Sequence, residues 1–316
     1  MSVEFVAIGR INIDIVIDTD KLPKSSDHLV GFDGQISFGG SASNFASQSA
    51  KLGVKAGLVS CIGDDIYGQI ILKELSKIGV DTKTVLVLEN QPTGVFMLVR
   101  SKSEGSFVVS QPGANKFLNQ SILDVDSIGR TRVIHVAGGF QQMATQAVKV
   151  ATTNGIMFSL DPGRTGHNID FSQVLPHTDL LFLNRSELKQ HFKLDPKRSD
   201  LIPFAKTFPG IVIVKQGREG AIATDGFEYY ESPVFEVPVK DTLGAGDAFA
   251  AGFITAWTRA ENIERALHMA NAVAALTITE YGAQKGQPSL NQTAGLLKKF
   301  DVDISAVLRT FGSKRR

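Results

Sequence analysis

Short apolar runs that end in polar or charged residues, with helical stretches between them, constrain this chain more than any other feature. RVIHVAG (132–138), IMFSLDPG (156–163), LLFLN (180–184) and GIVIVKQG (210–217) have strand length, and VEFVAIG (3–9) has the same form. Continuous apolar runs of this kind suit strands buried on both faces. ASNFASQSAKLG (42–53) and YGQIILKELSKIG (67–79) show helical spacing with glycine stops, on either side of the strand-like KAGLVSCIG (55–63). Such alternation predicts an α/β fold: a doubly wound, mostly parallel sheet flanked by helices. Ligands in these sheets bind beyond the carboxyl ends of the strands, where Asp161, Asn184 and Lys215 fall.

Two stretches break this rhythm. IDIVIDTDKLP (13–23) alternates apolar and polar residues at period two, and HLVGFDGQISFGG (28–40) continues in strand-like pieces. GVFMLVR (94–100) and SFVVSQPG (106–113) read as a hairpin joined by SKSEG. This pattern predicts antiparallel strands half open to water. The expected organisation is an α/β body over residues 1–10, 41–92 and 114–316, which binds nucleotide and substrate. A small β-sheet lid is inserted at 11–40 and 93–113. Exposed lid edges invite a second lid, so a homodimer through the lid is expected.

Composition removes several classes of function. The chain has 316 residues, 43% of them hydrophobic, enough for a substantial core. Lys and Arg number 33 against 32 acidic residues, so no overall field draws the chain to nucleic acid or an anionic membrane. The terminal SKRR (313–316) reads as a solvated end. No apolar run approaches the roughly 18 residues of a membrane span, and no leader pattern opens the chain, which therefore reads as cytoplasmic. The lone Cys61 excludes an internal disulfide and an all-cysteine metal site. His28, His135, His167, His177, His191 and His268 lack zinc-site spacing, and no P-loop occurs.

DTLGAGDAFAAGF (241–253) places an acid directly after a Gly-Ala-Gly turn. The backbone N–H groups of roughly residues 243 to 246 would point one way at the start of a helix, a ready anion site. Asp247 on that first turn fits two roles, a helix cap or an acceptor for a hydroxyl proton. GGSASNFASQSAKLG (39–53) likewise fits either a tight turn into a helix or a close backbone approach to a ligand, with Asn44 available to a sugar hydroxyl.

Together these two elements resemble the N-terminal and C-terminal patterns of the ribokinase-like, PfkB-type carbohydrate kinases. NRSE (184–187) resembles that family's N-x-x-E element, KQGREG (215–220) its glycine-bearing nucleotide loop, and NAVAALTITEYGAQ (271–284) its adenine-side helix and loop. GRINIDIV (9–16) resembles its substrate-contacting first strand. The resemblance implies a Mg2+-dependent kinase that moves a phosphoryl group from ATP (or ADP) to a hydroxyl of a small sugar. Asp247 would be the general base, with Gly244, Ala245 and Gly246 as the anion hole. Asn12, Asp14, Gly39, Gly40 and Asn44 would bind the acceptor. Asn184, Lys215, Gly217, Gly220 and Asn271 would line the nucleotide. Glu187 and Asn184 would organise Mg2+ through water, and Asp241 would sit at a potassium loop with carbonyls near 278–286.

Ribokinases proper carry lysine in GGKGAN, where this chain has Ser41 in GGSASN, which weakens the case for free ribose. Arg164 in DPGRTG (161–166) is suited to capturing a carboxylate or phosphate, on the acceptor or on the donor. A surface arginine is the competing reading. The acceptor classes left open are a pentose or hexose, a nucleoside stacked on Phe38, Phe96 or Phe107, and a sugar phosphate or sugar acid such as ribose 1-phosphate or ketodeoxygluconate. A sugar- or nucleotide-sensing protein with an inactive kinase fold is the non-enzymatic alternative.

Overall fold

A computed structural model describes residues 3–26 and 28–312; the SKRR terminus lies outside the described residues. Strands among these residues form two separate sheets. In chain order they begin with β1 (Phe5–Gly9), β2 (Asn12–Thr19), β3 (Asp33–Gly39), β4 (Ala56–Gly63) and β5 (Val85–Leu88). Next come β6 (Gly94–Ser101), β7 (Gly105–Gln111), β8 (Val133–Ala137) and β9 (Met157–Asp161). The last are β10 (Leu180–Asn184), β11 (Ile211–Lys215), β12 (Ala221–Thr224) and β13 (Tyr229–Ser232).

The large sheet runs β13-β12-β11-β10-β9-β8-β1-β4-β5. Strands β11 through β5 pair in parallel, and β12 and β13 add an antiparallel edge. Alternate residues of β1 show why its run is apolar throughout. Phe5 and Ala7 enter one core with the Ser41–Lys51, Ala245–Ala260 and Ile263–Thr277 helices, while Val6 and Ile8 enter a second core with the Gln141–Asn154 helix. Both faces are covered, as parallel sheets require. His135 of β8 belongs to this interior: it stacks on Phe45 with ring centroids 4.1 Å apart, and its Nδ1 lies 2.9 Å from Ser159 Oγ. Burial pulls its pKa down to about 4, so it is a neutral core residue.

From β1 the chain builds β4 and β5 on one side, then returns to lay β8 through β11 on the other. The order therefore reverses between β1 and β8. The carboxyl ends of these two strands flank the crevice in which such sheets take ligands.

The small sheet runs β3-β2-β6-β7 and uses only residues of the two predicted insertions. Its β2–β3 and β6–β7 pairs are antiparallel, but the central β2–β6 pair is parallel, which the period-two pattern did not predict. The cause is the path of the chain, which leaves the lid after Gly39, builds part of the body and re-enters at Gly94. Register places Asp14, Ser37 and Phe96 side by side on one face. The other face carries Ile13, Ile15, Ile36, Phe107 and Val109, of which Ile36 is 62% exposed. No helix among the described residues is long and apolar enough to cross a membrane.

Candidate active site

Asp247 lies on the first turn of the Ala245–Ala260 helix, whose N-cap, Gly244, adopts a left-handed φ of 76°. Glycine takes this conformation without strain, and a β-carbon at 244 would press on Ala283. No side chain caps this helix. Asp247 Oδ2 instead accepts a hydrogen bond from Asn44 Nδ2 at 2.8 Å. Asn44 Oδ1 accepts from Gln284 Nε2 at 3.1 Å, and its carbonyl accepts from Gln287 Nε2 at 2.8 Å. Asn44 thus belongs to the support of the acid, with its amide held on both sides. Burial raises the Asp247 carboxyl; the Asn44 hydrogen bond opposes this, the Asp161 charge adds to it, and Lys215 and Ser41 lower it, leaving a pKa of about 7. The residue remains half-buried, so a ligand can reach it.

Two of the four expected anion-hole donors are already engaged. Leu243 N–H donates to Asp241 Oδ1 at 3.2 Å, and Ala245 N–H to the Thr242 carbonyl at 3.3 Å. Gly244 and Gly246 N–H have no hydrogen-bond partner among the described residues. Beside them lies Lys215, whose Nζ is 2.5 Å from Asp161 Oδ2. An added β-carbon on Gly246 would stand 3.4 Å from that Nζ. Burial alone would lower the Lys215 ammonium, but Asp161, Glu187 and Asp247 outweigh it and hold the pKa above its ordinary value. A fixed cation therefore flanks the free N–H groups.

Asn184 and Glu187 close a capping box at the Arg185–Phe192 helix. Glu187 Oε2 accepts from Asn184 N–H at 2.8 Å, and Asn184 Oδ1 from Glu187 N–H at 2.9 Å. Burial and the Asp161 charge raise the Glu187 carboxyl, against Lys215. No group of three or more His, Cys, Asp or Glu residues among those described could ligate a metal directly. The second oxygen of Glu187 suits the outer, water-mediated shell of Mg2+, an ion that keeps several of its waters. Gly217 and Gly220 follow β11 with φ of 61° and 84°, and a β-carbon at 220 would strike the Ser232 carbonyl. Asn271 Nδ2 donates to the Ser232 carbonyl at 3.0 Å, to Ser232 Oγ at 2.9 Å and to the Pro233 carbonyl at 3.1 Å, which leaves only its Oδ1 for a base.

Across the cleft, Asp14 is 3% exposed. Burial, then the charges of Asp247 and Asp241, raise its pKa to about 8. Gly39 makes room for this carboxyl, since a β-carbon there would collide with it, and Gly40 does the same for the Arg10 carbonyl. Asn12 Oδ1 accepts from the buried Asn115 Nδ2 at 3.0 Å. Arg164 lies with its guanidinium 5.8 Å from the centre of the Phe96 ring. The Asp241 carboxylate is filled by protein: Oδ1 accepts from Arg100 Nη1 at 3.1 Å and from Leu243 N–H. Its Oδ2 accepts from Gln35 Nε2 and Gly282 N–H, both at 3.0 Å.

The sequence reading missed Arg10, Arg100, Asn115 and Gln284 as members of this region, and it left Asp161 at a strand end without a partner. Arg10 and Asp161 stood inside quoted motifs. Gln284 also closes a quoted motif and Arg100 a quoted strand, but the partners of Arg100, Asn115 and Gln284 lie 141, 104 and 240 positions away and leave no local mark.

The profile of the pfkB family carbohydrate kinases matches residues 3–290. The chain is 33% identical to an ATP-dependent ribose-1-phosphate kinase of Halopiger xanaduensis, over 95% of this chain and 100% of that one. It is 28% identical to a ribokinase of Bacillus subtilis, over 92% and 98%. The solved structure of Arabidopsis thaliana ribokinase complexed with ribose and ATP superposes with a TM-score of 0.82 at 25% identity, covering 94% of this chain and 99% of that one. The match spans the lid, the sheet and the helix that carries Asp247, and this chain belongs to the pfkB family of carbohydrate kinases.

Proposed function

We propose that this chain transfers the terminal phosphoryl group of ATP to a hydroxyl of a small sugar, with Asp247 as the general base. One observation carries the reading: an uncapped, half-buried carboxylate, oriented by Asn44, stands at the helix N-terminus that also presents the free N–H groups of Gly244 and Gly246. The acceptor oxygen forms a bond to the γ-phosphorus as the bond to the departing ADP oxygen breaks, and its proton passes to Asp247 Oδ1. A carboxylate with a pKa near 7 is matched to this task at neutral pH. Gly244, Gly246 and the Lys215 ammonium stabilise charge on the transferring group. Mg2+ bound to the nucleotide would neutralise phosphate charge, with Glu187 holding its water shell.

The acceptor lies between the lid and the carboxyl ends of β1, β8 and β9, near Asp14 and Asn12. A nucleoside acceptor has weaker support. Phe38 and Phe107 lie on the lid face opposite Asp14, where Phe38 packs against the core, and of the three only Phe96 shares the face of Asp14. Lid closure excludes water, which would otherwise compete as acceptor. Potassium would rest on main-chain carbonyls near Asp241 and near 278–286. The exposed apolar face around Ile36, Phe107 and Val109 favours a homodimer through the lid. We place the protein in the cytoplasm, where its nucleotide donor is held. Measuring ADP release from ATP and Mg2+ across neutral sugars, sugar phosphates, sugar acids and nucleosides tests the reading. Sugar-dependent release supports it, and binding without turnover would favour a sensor.

A further inference from the structure

We propose that Arg10 and Arg164 form an anion-reading pair at the acceptor end of the cleft, so that the acceptor is a phosphorylated sugar. This deepens, and rests on, the kinase reading above. Arg10 follows β1 directly, and its guanidinium lies 5.1 Å from the centre of the Phe140 ring, just after β8. Arg164 stands on the turn after β9, over Phe96 of the lid. Strands β1, β8 and β9 are consecutive neighbours, so the strands that precede the two arginines run about 10 Å apart, twice the usual strand spacing. Two arginine side chains can enclose one phosphate across that gap. The crevice they straddle is the point where the strand order reverses.

The state of these side chains is informative. Neither guanidinium makes an ion pair or a hydrogen bond among the described residues; Arg10 is half-buried, whereas Arg164 is exposed and lies within electrostatic reach of Glu187. Arg100, Arg185 and Arg259 are each paired with a carboxylate. Burial lowers the Arg10 pKa, and no acid opposes the shift. A cation held out of water without a counter-charge is costly, and a bound anion would offset that cost. Each guanidinium lies over an aromatic ring and keeps its N–H groups available for two-point contact with phosphate.

Charge also sets the direction of binding. Asp14, Asp241 and Asp247 gather at the reacting end and would repel a phosphate, so the acceptor hydroxyl belongs there. The phosphate belongs with Arg10 and Arg164. Phe96, under Arg164, pairs in register with Asp14 on the inner lid face, which puts Arg164 on the acceptor side of the cleft. The substrate class is a sugar with its phosphate and its reacting hydroxyl on opposite sides of the ring.

The test compares ribose, ribose 1-phosphate and ribose 5-phosphate as acceptors for the full-length enzyme with ATP and Mg2+, alongside calorimetric binding without nucleotide. One sugar phosphate should exceed ribose in kcat/KM by at least 100-fold. Arg164→Gln should cut that preference at least 30-fold through acceptor KM while ATP KM stays within twofold, and Arg164→Lys should recover part of the loss. Arg10→Gln should act in the same direction. Sugar-phosphate binding by Arg164→Gln should weaken at least tenfold. Ribose equal to or better than both phosphates, unaltered sugar-phosphate binding by Arg164→Gln, or a rise in ATP KM instead of acceptor KM would overturn the pair. Arginine-dependent sugar-phosphate binding with no turnover would keep the pair and sink the kinase reading.

Discussion

Asn44 and Asp247, 203 positions apart in sequence, are joined by a hydrogen bond of 2.8 Å from the Asn44 amide to the Asp247 carboxylate. The bond ties the helix after β3 to the helix that carries Asp247, the proposed base. Asn44→Ala should lower kcat/KM about 10- to 100-fold by releasing the acid from its orientation. Because this bond lowers the Asp247 pKa, the acidic limb of the pH–rate profile should move upward in the same variant. A profile that does not shift would assign Asn44 to packing alone.

The wild-type profile has its own prediction. Only the ionised carboxylate can accept a proton, so kcat/KM should fall as pH drops through about 7 and level off above it. A limb near pH 4 would mean that the site does not perturb this acid.

Stability should run the other way. Asp14 and Asp247 have folded-state pKa values of about 8 and about 7, against an unfolded value of about 3.9. Below pH 4 both are protonated in either state. As pH rises toward 8, the folded protein must take on charges that the unfolded chain already carries, so stability is lost across that window. Tm should decline between about pH 4 and pH 8 and level off above it, and Asp14→Asn should flatten the decline. A Tm that rises over this range would contradict the burial argument.

Arg100 links the lid to the anion-hole turn. Its Nε and Nη2 donate to Asp18 at 2.8 and 3.1 Å, while Nη1 reaches Asp241, which also accepts from Leu243 N–H. Arg100→Gln should raise the acceptor KM and lower kcat together, each by about tenfold, because lid and turn lose their shared anchor. Hydrogen exchange should quicken in β2 and β6. Unchanged exchange would mean that the lid is held by other contacts.

Much of this architecture was legible in the chain because its signals are local. Apolar runs ending at Asp161, Asn184 and Lys215 identified strands and their carboxyl edge, since nearly every residue of a doubly covered strand is buried. The short strands β5, β12 and β13 escaped, as four residues carry too little periodicity. The parallel β2–β6 pairing was hidden because side-chain alternation is the same for either direction. In the site, the Gly-Ala-Gly turn identified Asp247, but sequence left open whether it caps the helix or takes a proton. The contact with Asn44 and the absence of a side-chain cap favour the proposed proton acceptor over the cap. Likewise, Asn271 was read as a base contact, while its amide nitrogen braces the Ser232–Pro233 segment. Long-range partners of this kind are set by topology and leave no mark on neighbouring residues.

The most direct test of the account is single-turnover phosphoryl transfer from ATP by Asp247→Asn, run beside wild type with the best acceptor. Asparagine matches aspartate in shape but cannot take the proton, so the rate should fall by about 10²–10⁴-fold while nucleotide binding and the circular dichroism spectrum are retained. A rate within tenfold of wild type would show that the proton leaves by another route and that Asp247 is not the base.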